Sequence, residues 1–187
     1  MIYPIVVYGS PLLRKKAIEI GKDYPDLKQF IDDMFETMYH SEGIGLAAPQ
    51  VGKSIRLFVI DATELDADTE EDLKDFKKVF INPTIISETG DEWLFSEGCL
   101  SIPNIREDIS RNADVVIEYY DENWELHREE YTGTKARIIQ HEYDHLEGVL
   151  FVDKISMLRR RLLKGKLNDI AKGKAKDVKY KMRIAVK

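Results

Sequence analysis

Two histidines four positions apart, in His141-Glu142-Tyr143-Asp144-His145, constrain this chain more than any other stretch. Four positions along a helix return a side chain to the same face, with neighbouring Cβ atoms ~5–6 Å apart, so both imidazoles can grip one ion. Glu142 is rotated from His141 by about 100°. It stands beside such an ion, where its carboxylate can handle the proton of a water instead of filling a ligand position. Two histidines at this spacing also arise on solvated surface helices, so the reading turns on a third ligand.

One arrangement of zinc proteases places a third His six residues after the second, but that position is Phe151. No Glu follows Glu147, and the later acids Asp153, Asp169 and Asp177 lie in no supporting motif. His40 and His127 sit in ordinary amphipathic contexts and read as surface or capping residues. The single cysteine, Cys99, lies in Glu97-Gly98-Cys99-Leu100-Ser101, after an apolar run from Trp93 to Phe95 that reads as a strand. A lone cysteine is often a small buried hydrophobe. Beside an incomplete two-histidine site it reads as the third ligand: one thiolate with two imidazoles leaves a divalent cation a net positive charge and an open position.

A metal with an open position activates water near neutral pH and polarises a carbonyl, and an adjacent Glu can take a proton and return it to a leaving amine. This is amide or ester hydrolysis. Gly43 and Gly45 allow close backbone approach to a substrate, and Gln50 offers a neutral N–H donor for an oxyanion. Gly52-Lys53-Ser54 ends like a phosphate-binding loop, but Ala47 stands where that pattern needs Gly and Pro49 interrupts the run of donors. The residues alone leave three classes open: a metal-dependent hydrolase, a hydrolase using Cys99 as nucleophile with a histidine base, and a catalytically inert protein with a structural metal.

Three segments resemble the signature motifs of peptide deformylase, in that family's order: Gly43-Ile44-Gly45-Leu46-Ala47-Ala48-Pro49-Gln50, Glu97-Gly98-Cys99-Leu100-Ser101, and Gln140-His141-Glu142-Tyr143-Asp144-His145-Leu146-Glu147-Gly148. Gly9-Ser10-Pro11-Leu12-Leu13 is similar to the family's N-terminal segment, and the likeness runs from about Ile5 to Ile170. The resemblance implies Cys99, His141 and His145 as ligands of one divalent ion, ferrous iron in the cell with zinc, nickel or cobalt as substitutes. It implies Glu142 as general base and then acid, and Gln50 with the Leu100 backbone N–H as oxyanion donors. The implied substrates are N-formylmethionyl peptides and nascent chains, with formate as product. Ile44, Gly45, Glu97, Ile138 and His141 would border the methionine slot, and Arg106 would reach the peptide further along. A buried Glu97 suits pairing with Arg111 better than lining a hydrocarbon floor.

At 187 residues, 43% hydrophobic and 33% charged, the chain suits one globular core. The expectation is a single catalytic domain over residues 1–170 and a basic C-terminal tail over 171–187. A net charge of −6 gives no general attraction to DNA or membranes, no long apolar span is present, and one cysteine permits no internal disulfide. Cytoplasmic placement follows as an expectation. Arg159, Arg160, Arg161, Lys164 and Lys166, then Lys172, Lys174, Lys176, Lys179, Lys181, Arg183 and Lys187, make the C-terminal end basic. It reads either as a solvated tail or as a contact for ribosomal RNA. The acids between Asp61 and Asp75 read as a solvated excursion between strands.

Leu27, Phe30, Ile31, Met34, Phe35 and Met38 recur at helical spacing after Pro25, predicting a helix that ends near Ser41-Glu42-Gly43. Extended segments are expected at Ile55–Asp61, Lys78–Asn82, Glu92–Phe95, Val115–Tyr120 and Glu125–Tyr131. A helix after Thr132-Gly133-Thr134 should stop at Gly148, with a further helix carrying Ile155, Leu158 and Leu162. The expected architecture is α+β: antiparallel β-sheets packed around a central helix carrying the HExxH motif, with a C-terminal helix.

Overall fold

Behind Pro25 the predicted apolar spacing winds into α1 (Leu27–His40), which buries Phe30, Ile31, Met34 and Met38 against the sheet side of the molecule. The computed structural model describes residues 1–65 and 73–185. The part of the acidic excursion at 66–72 and the terminal Lys187 therefore lie outside the described residues.

Five antiparallel strands follow in the spatial order β2 (Gly45–Ala47), β3 (Leu57–Asp61), β4 (Lys77–Cys99), β5 (Ile102–Tyr120) and β6 (Leu126–Thr132). β4 joins two of the expected strands into one. The intervening Asn82-Pro83 and Gly90 read as breaks, but register shifts at Ile81/Thr84, Ile85/Ser87 and Thr89/Glu92 absorb them as bulges, the setting in which a sheet tolerates Pro. The first half of β5 was not predicted. Its inward positions alternate as Ile105, Glu107, Ile109 and Arg111, so buried ions interrupt the apolar pattern on which a period-of-two reading depends. Glu107 is paired with Arg159 at 2.6 Å and Arg111 with Glu97 at 2.7 Å.

α2 (Gly133–Leu146) lies against this sheet through Ala136, Ile138, Ile139 and Leu146. Ile139 and Leu146 are fully buried, each contributing about 1.5–3 kcal/mol of transfer free energy. The helix ends as predicted. Gly148 takes a left-handed φ of 73°, Val149 N–H reaches Asp144 O at 2.9 Å and Gly148 N–H reaches His145 O at 3.4 Å, the paired bonds of a Schellman stop. α3 (Met157–Ala171) buries Leu163, Leu167 and Ile170 and leaves Leu158 and Leu162 exposed. A second, two-stranded sheet pairs β1 (Ile5–Val6) with β7 (Met182–Arg183).

The expected architecture needs correction. An α+β fold with an antiparallel sheet and helices is present, but the second sheet is parallel. The metal site is not a two-histidine HExxH site carried by the helix: the candidate ligand atoms are those of Cys99, His141 and His145, all within 4.8 Å of one another. The reason is geometric. A rigid helix can aim only two imidazoles at one point, and the third donor comes from the end of β4, so the centre belongs to helix and sheet jointly.

Candidate metal centre

Cys99 closes β4 and pairs with Ile102 at the start of β5, leaving Leu100 and Ser101 as a two-residue turn. The turn points the thiol at α2, where Sγ lies 3.3 Å from His145 Nε2. His141 and His145 stand one helical turn apart with ring centroids at 5.3 Å. Burial holds the His145 imidazole well below its ordinary pKa, keeping it in the neutral form that ligates metals.

Glu97 organises the far side of His141. Its carboxylate receives Arg111 Nε at 2.7 Å and Nη2 at 3.0 Å, Arg137 Nη1 at 3.1 Å, and contacts His141 Nδ1 at 2.9 Å. Burial opposes its ionisation, but the bonds from His141 and Arg111 outweigh that and hold the carboxyl well below the usual range. With Nδ1 engaged by a carboxylate, His141 presents Nε2 to the centre. The pairing of Glu97 with Arg111 suggested by the sequence is present. Arg137 and Asp144, which binds Arg111 at 2.7 Å, were missed. Both lie on α2, at four residues before and three after His141, spacing that places them near its face.

Glu142 is buried beside the ligands and has few partners. Among the described residues its Oε2 has no hydrogen-bond partner, and neither does Nδ1 of His145. Burial pushes the Glu142 carboxyl up to about 7. Gly45 makes this placement possible, because a Cβ at that position would overlap the Glu142 carboxylate. Gln50 is oriented by its own amide: Oε1 accepts the Ala47 N–H at 2.8 Å, which turns Nε2 toward Ser101 Oγ at 3.2 Å and Cys99 Sγ at 3.5 Å.

These groups open onto a cavity of about 650 Å³ whose lining includes Ile44, Gly45, Glu97, Leu100, Arg106, Ile138 and Glu142. Arg106 reaches Ser96 O at 2.6 Å. His40 ends α1 exposed to solvent, and His127 pairs with Asp121 at 3.0 Å, so neither joins the centre. The donor set fits one divalent cation: one cysteine sulfur and two imidazoles converge, and burial favours the neutral, metal-binding form of the His145 ring.

The family model for Polypeptide deformylase matches residues 2–161. The chain is 58% identical over 190 residues to the peptide deformylase of Christiangramia forsetii, covering 98% of this chain and 96% of that one. It is 54% identical to the peptide deformylase of Flavobacterium psychrophilum, covering 100% and 99%. Among solved structures it is similar to the peptide deformylase from Legionella pneumophila, with a TM-score of 0.80, 37% identity and coverage of 95% and 99%. The Thermotoga maritima enzyme gives a TM-score of 0.74, 42% identity and coverage of 83% and 99%. With the Cys99, His141 and His145 group in place, the chain belongs to the peptide deformylase family and is a metal-dependent hydrolase that uses one divalent cation.

Proposed function

We propose that the protein removes the formyl group from N-formylmethionyl peptides and nascent chains and releases formate. Family membership supports peptides as the general class of substrate. The observation that carries the reading is the convergence of Cys99, His141 and His145 beside a buried, incompletely bonded Glu142. When bound, the cation, ferrous iron in the cell with zinc, nickel or cobalt able to substitute, supplies a Lewis acid that lowers the pKa of water and polarises the carbonyl. Glu142 takes the proton of the attacking water at its carboxylate. The oxygen adds to the formyl carbon, and the Nε2 group of Gln50 and the N–H of Leu100 receive the developing oxyanion. Glu142 then delivers its proton to the amine nitrogen as the C–N bond breaks, leaving formate and a free amino terminus.

Ile44, Gly45 and Ile138 would form the methionine slot, Glu97 would hold its His141 wall in place, and Arg106 would meet the peptide beyond the first residue. Their position on the cavity wall supports these assignments. A formyl group carries only hydrogen beyond its carbonyl, so a narrow centre excludes acetyl and longer acyl groups by size. Residues 1–170 are proposed as the catalytic unit and 171–187 as a basic segment that contacts ribosomal RNA. The alternative is that the exposed lysines of this segment are merely solvated. Neutralising Lys172, Lys174 and Lys176 together should reduce ribosome co-sedimentation at low salt, and an unchanged pellet would count for mere solvation. Among the described residues no helix is long and apolar enough to cross a membrane, and cytoplasmic placement is part of the proposal.

The test is formate release from a formyl-Met peptide under anaerobic conditions. A strong chelator should abolish it and ferrous iron should restore it, whereas activity that persists after complete metal removal would rule the mechanism out.

A further inference from the structure

The small parallel sheet is tied to the turn that carries Cys99. Two residues beyond β1, Tyr8 donates its N–H to Ser101 O at 2.8 Å. Two residues before β7, Tyr180 donates its hydroxyl to Leu100 O at 2.6 Å. The two strands are themselves joined by Ile5 N–H to Lys181 O at 2.8 Å and Val7 N–H to Arg183 O at 3.1 Å. Both carbonyls of the Leu100-Ser101 turn are therefore held by one element, assembled from opposite ends of the chain.

The Tyr180 bond has the stronger setting of the contacts in this segment. The Tyr180 side chain is half-buried and packs in the same apolar cluster as Leu100, and burial pushes its phenol above the ordinary value. The hydroxyl is therefore a neutral donor at physiological pH. Nearby Lys179 pairs with Glu42 at 2.7 Å, but both side chains are mostly exposed, and such pairs add little. The Leu100 carbonyl and the Leu100 N–H belong to consecutive peptide planes, and Cys99 precedes them directly. A two-residue turn has few independent torsions, so rotation of the Leu100-Ser101 plane would move the sulfur and the N–H together.

We propose that the β1–β7 pair acts as a clip on the ligand-bearing turn, and that Tyr180 is a positioning residue whose hydroxyl fixes the direction of Cys99 Sγ and the Leu100 N–H. Its catalytic consequence rests on the deformylase reading, but the clip itself does not. Nothing in the local sequence signals it, because Tyr180 lies about eighty positions from the turn and outside every motif.

The test uses the full-length, metal-loaded chain and Tyr180→Phe, which keeps the ring and removes the hydroxyl. Cys99 is the single cysteine, so iodoacetamide labelling followed by mass spectrometry reads one site. Labelling should be about 5-fold faster in the variant, the factor expected for losing one ordinary hydrogen bond. The turnover number for formyl-Met peptide should fall by a similar factor with KM within about two-fold. A Tyr180 that served only global stability would lower the thermal midpoint and leave labelling unchanged well below it. Equal labelling and equal turnover in the two proteins would overturn the proposal. Should the variant fail to fold, amide exchange on the parent chain decides: the Tyr8 N–H should be protected to the same degree as those of Ile5 and Val7, and exchange at an open-loop rate would refute the clip. A parent chain that released no formate would defeat the functional reading while labelling and exchange still judged the clip.

Discussion

Glu97 and Glu142 are buried to the same degree, each with 5% of its surface exposed, on two sides of His141, and their surroundings are opposite. Glu97 is surrounded by donors, with two arginines and an imidazole on its two oxygens. Glu142 has one oxygen without any partner among the described residues, and burial lifts it to about 7. Burial alone therefore does not set a carboxylate's role. On the roles proposed above, the charge that orients a ligand is surrounded by cations, and the group that is to move a proton is left short of partners so that both protonation states stay accessible.

The comparison is tested most severely by Glu142→Gln. Formate release should fall by about 10³-fold, within the span of a lost general base, while elemental analysis finds the cation retained. The thermal midpoint should be unchanged or higher, since a neutral amide carries a smaller desolvation cost than a carboxylate in the same place. A variant that lost its cation would assign Glu142 a holding role and erase the contrast with Glu97. Glu97→Gln should do the reverse. It leaves Arg111 and Arg137 buried against a neutral group, costing about 3 kcal/mol or more, and weakens cation affinity about 10–100-fold through a mispositioned His141. Metal titration and thermal melting read the two effects separately. Asp144→Asn sharpens the boundary between them: it removes the second carboxylate of Arg111, whose bond is 2.7 Å, and should cost about 1–2 kcal/mol with cation affinity within a few-fold.

The same contrast explains what the sequence could disclose. Cys99, His141 and His145 were legible because the chain has one cysteine and four histidines, and because helix geometry alone puts two of them together. α1 and the stop at Gly148 were legible because their signals are local. The first half of β5 was hidden because Glu107 and Arg111 occupy inward positions and take their partners from elsewhere, Arg159 and Glu97. Arg137 was hidden for a related reason: arginines are common, and this one matters only because β4 and β5 bring Glu97 and Ile109 O within 3.1 Å and 2.8 Å of its guanidinium. The HExxH spacing is complete within one helix, whereas the position of the thiol depends on where a distant turn falls. Local periodicity reveals elements, but ion pairs formed across them conceal the pattern until the partners are seen together.

Glu129 supplies the mildest test, because it is satisfied like Glu97 but lies on the sheet with its side chain 35% exposed. Tyr119 Oη donates to it at 2.6 Å, Lys78 Nζ lies at 2.9 Å, and the Tyr131 hydroxyl also donates. Burial opposes ionisation, yet these donors outweigh it and hold the carboxyl down to about 2. A carboxyl lowered on folding contributes stability that is complete above its unfolded pKa of about 4.3 and fades as pH falls through that value toward 2. Solvent screening at a site this exposed keeps the contribution below about 1 kcal/mol. Thermal melts of the parent chain and Glu129→Gln should therefore differ by at most a few degrees at pH 7, and the gap should narrow steadily from pH 5 to pH 3. A gap that widened on acidification would mean that folding raises the Glu129 pKa, as it does for the incompletely bonded Glu142, and the distinction drawn between Glu97 and Glu142 would no longer follow from the number of donors around each.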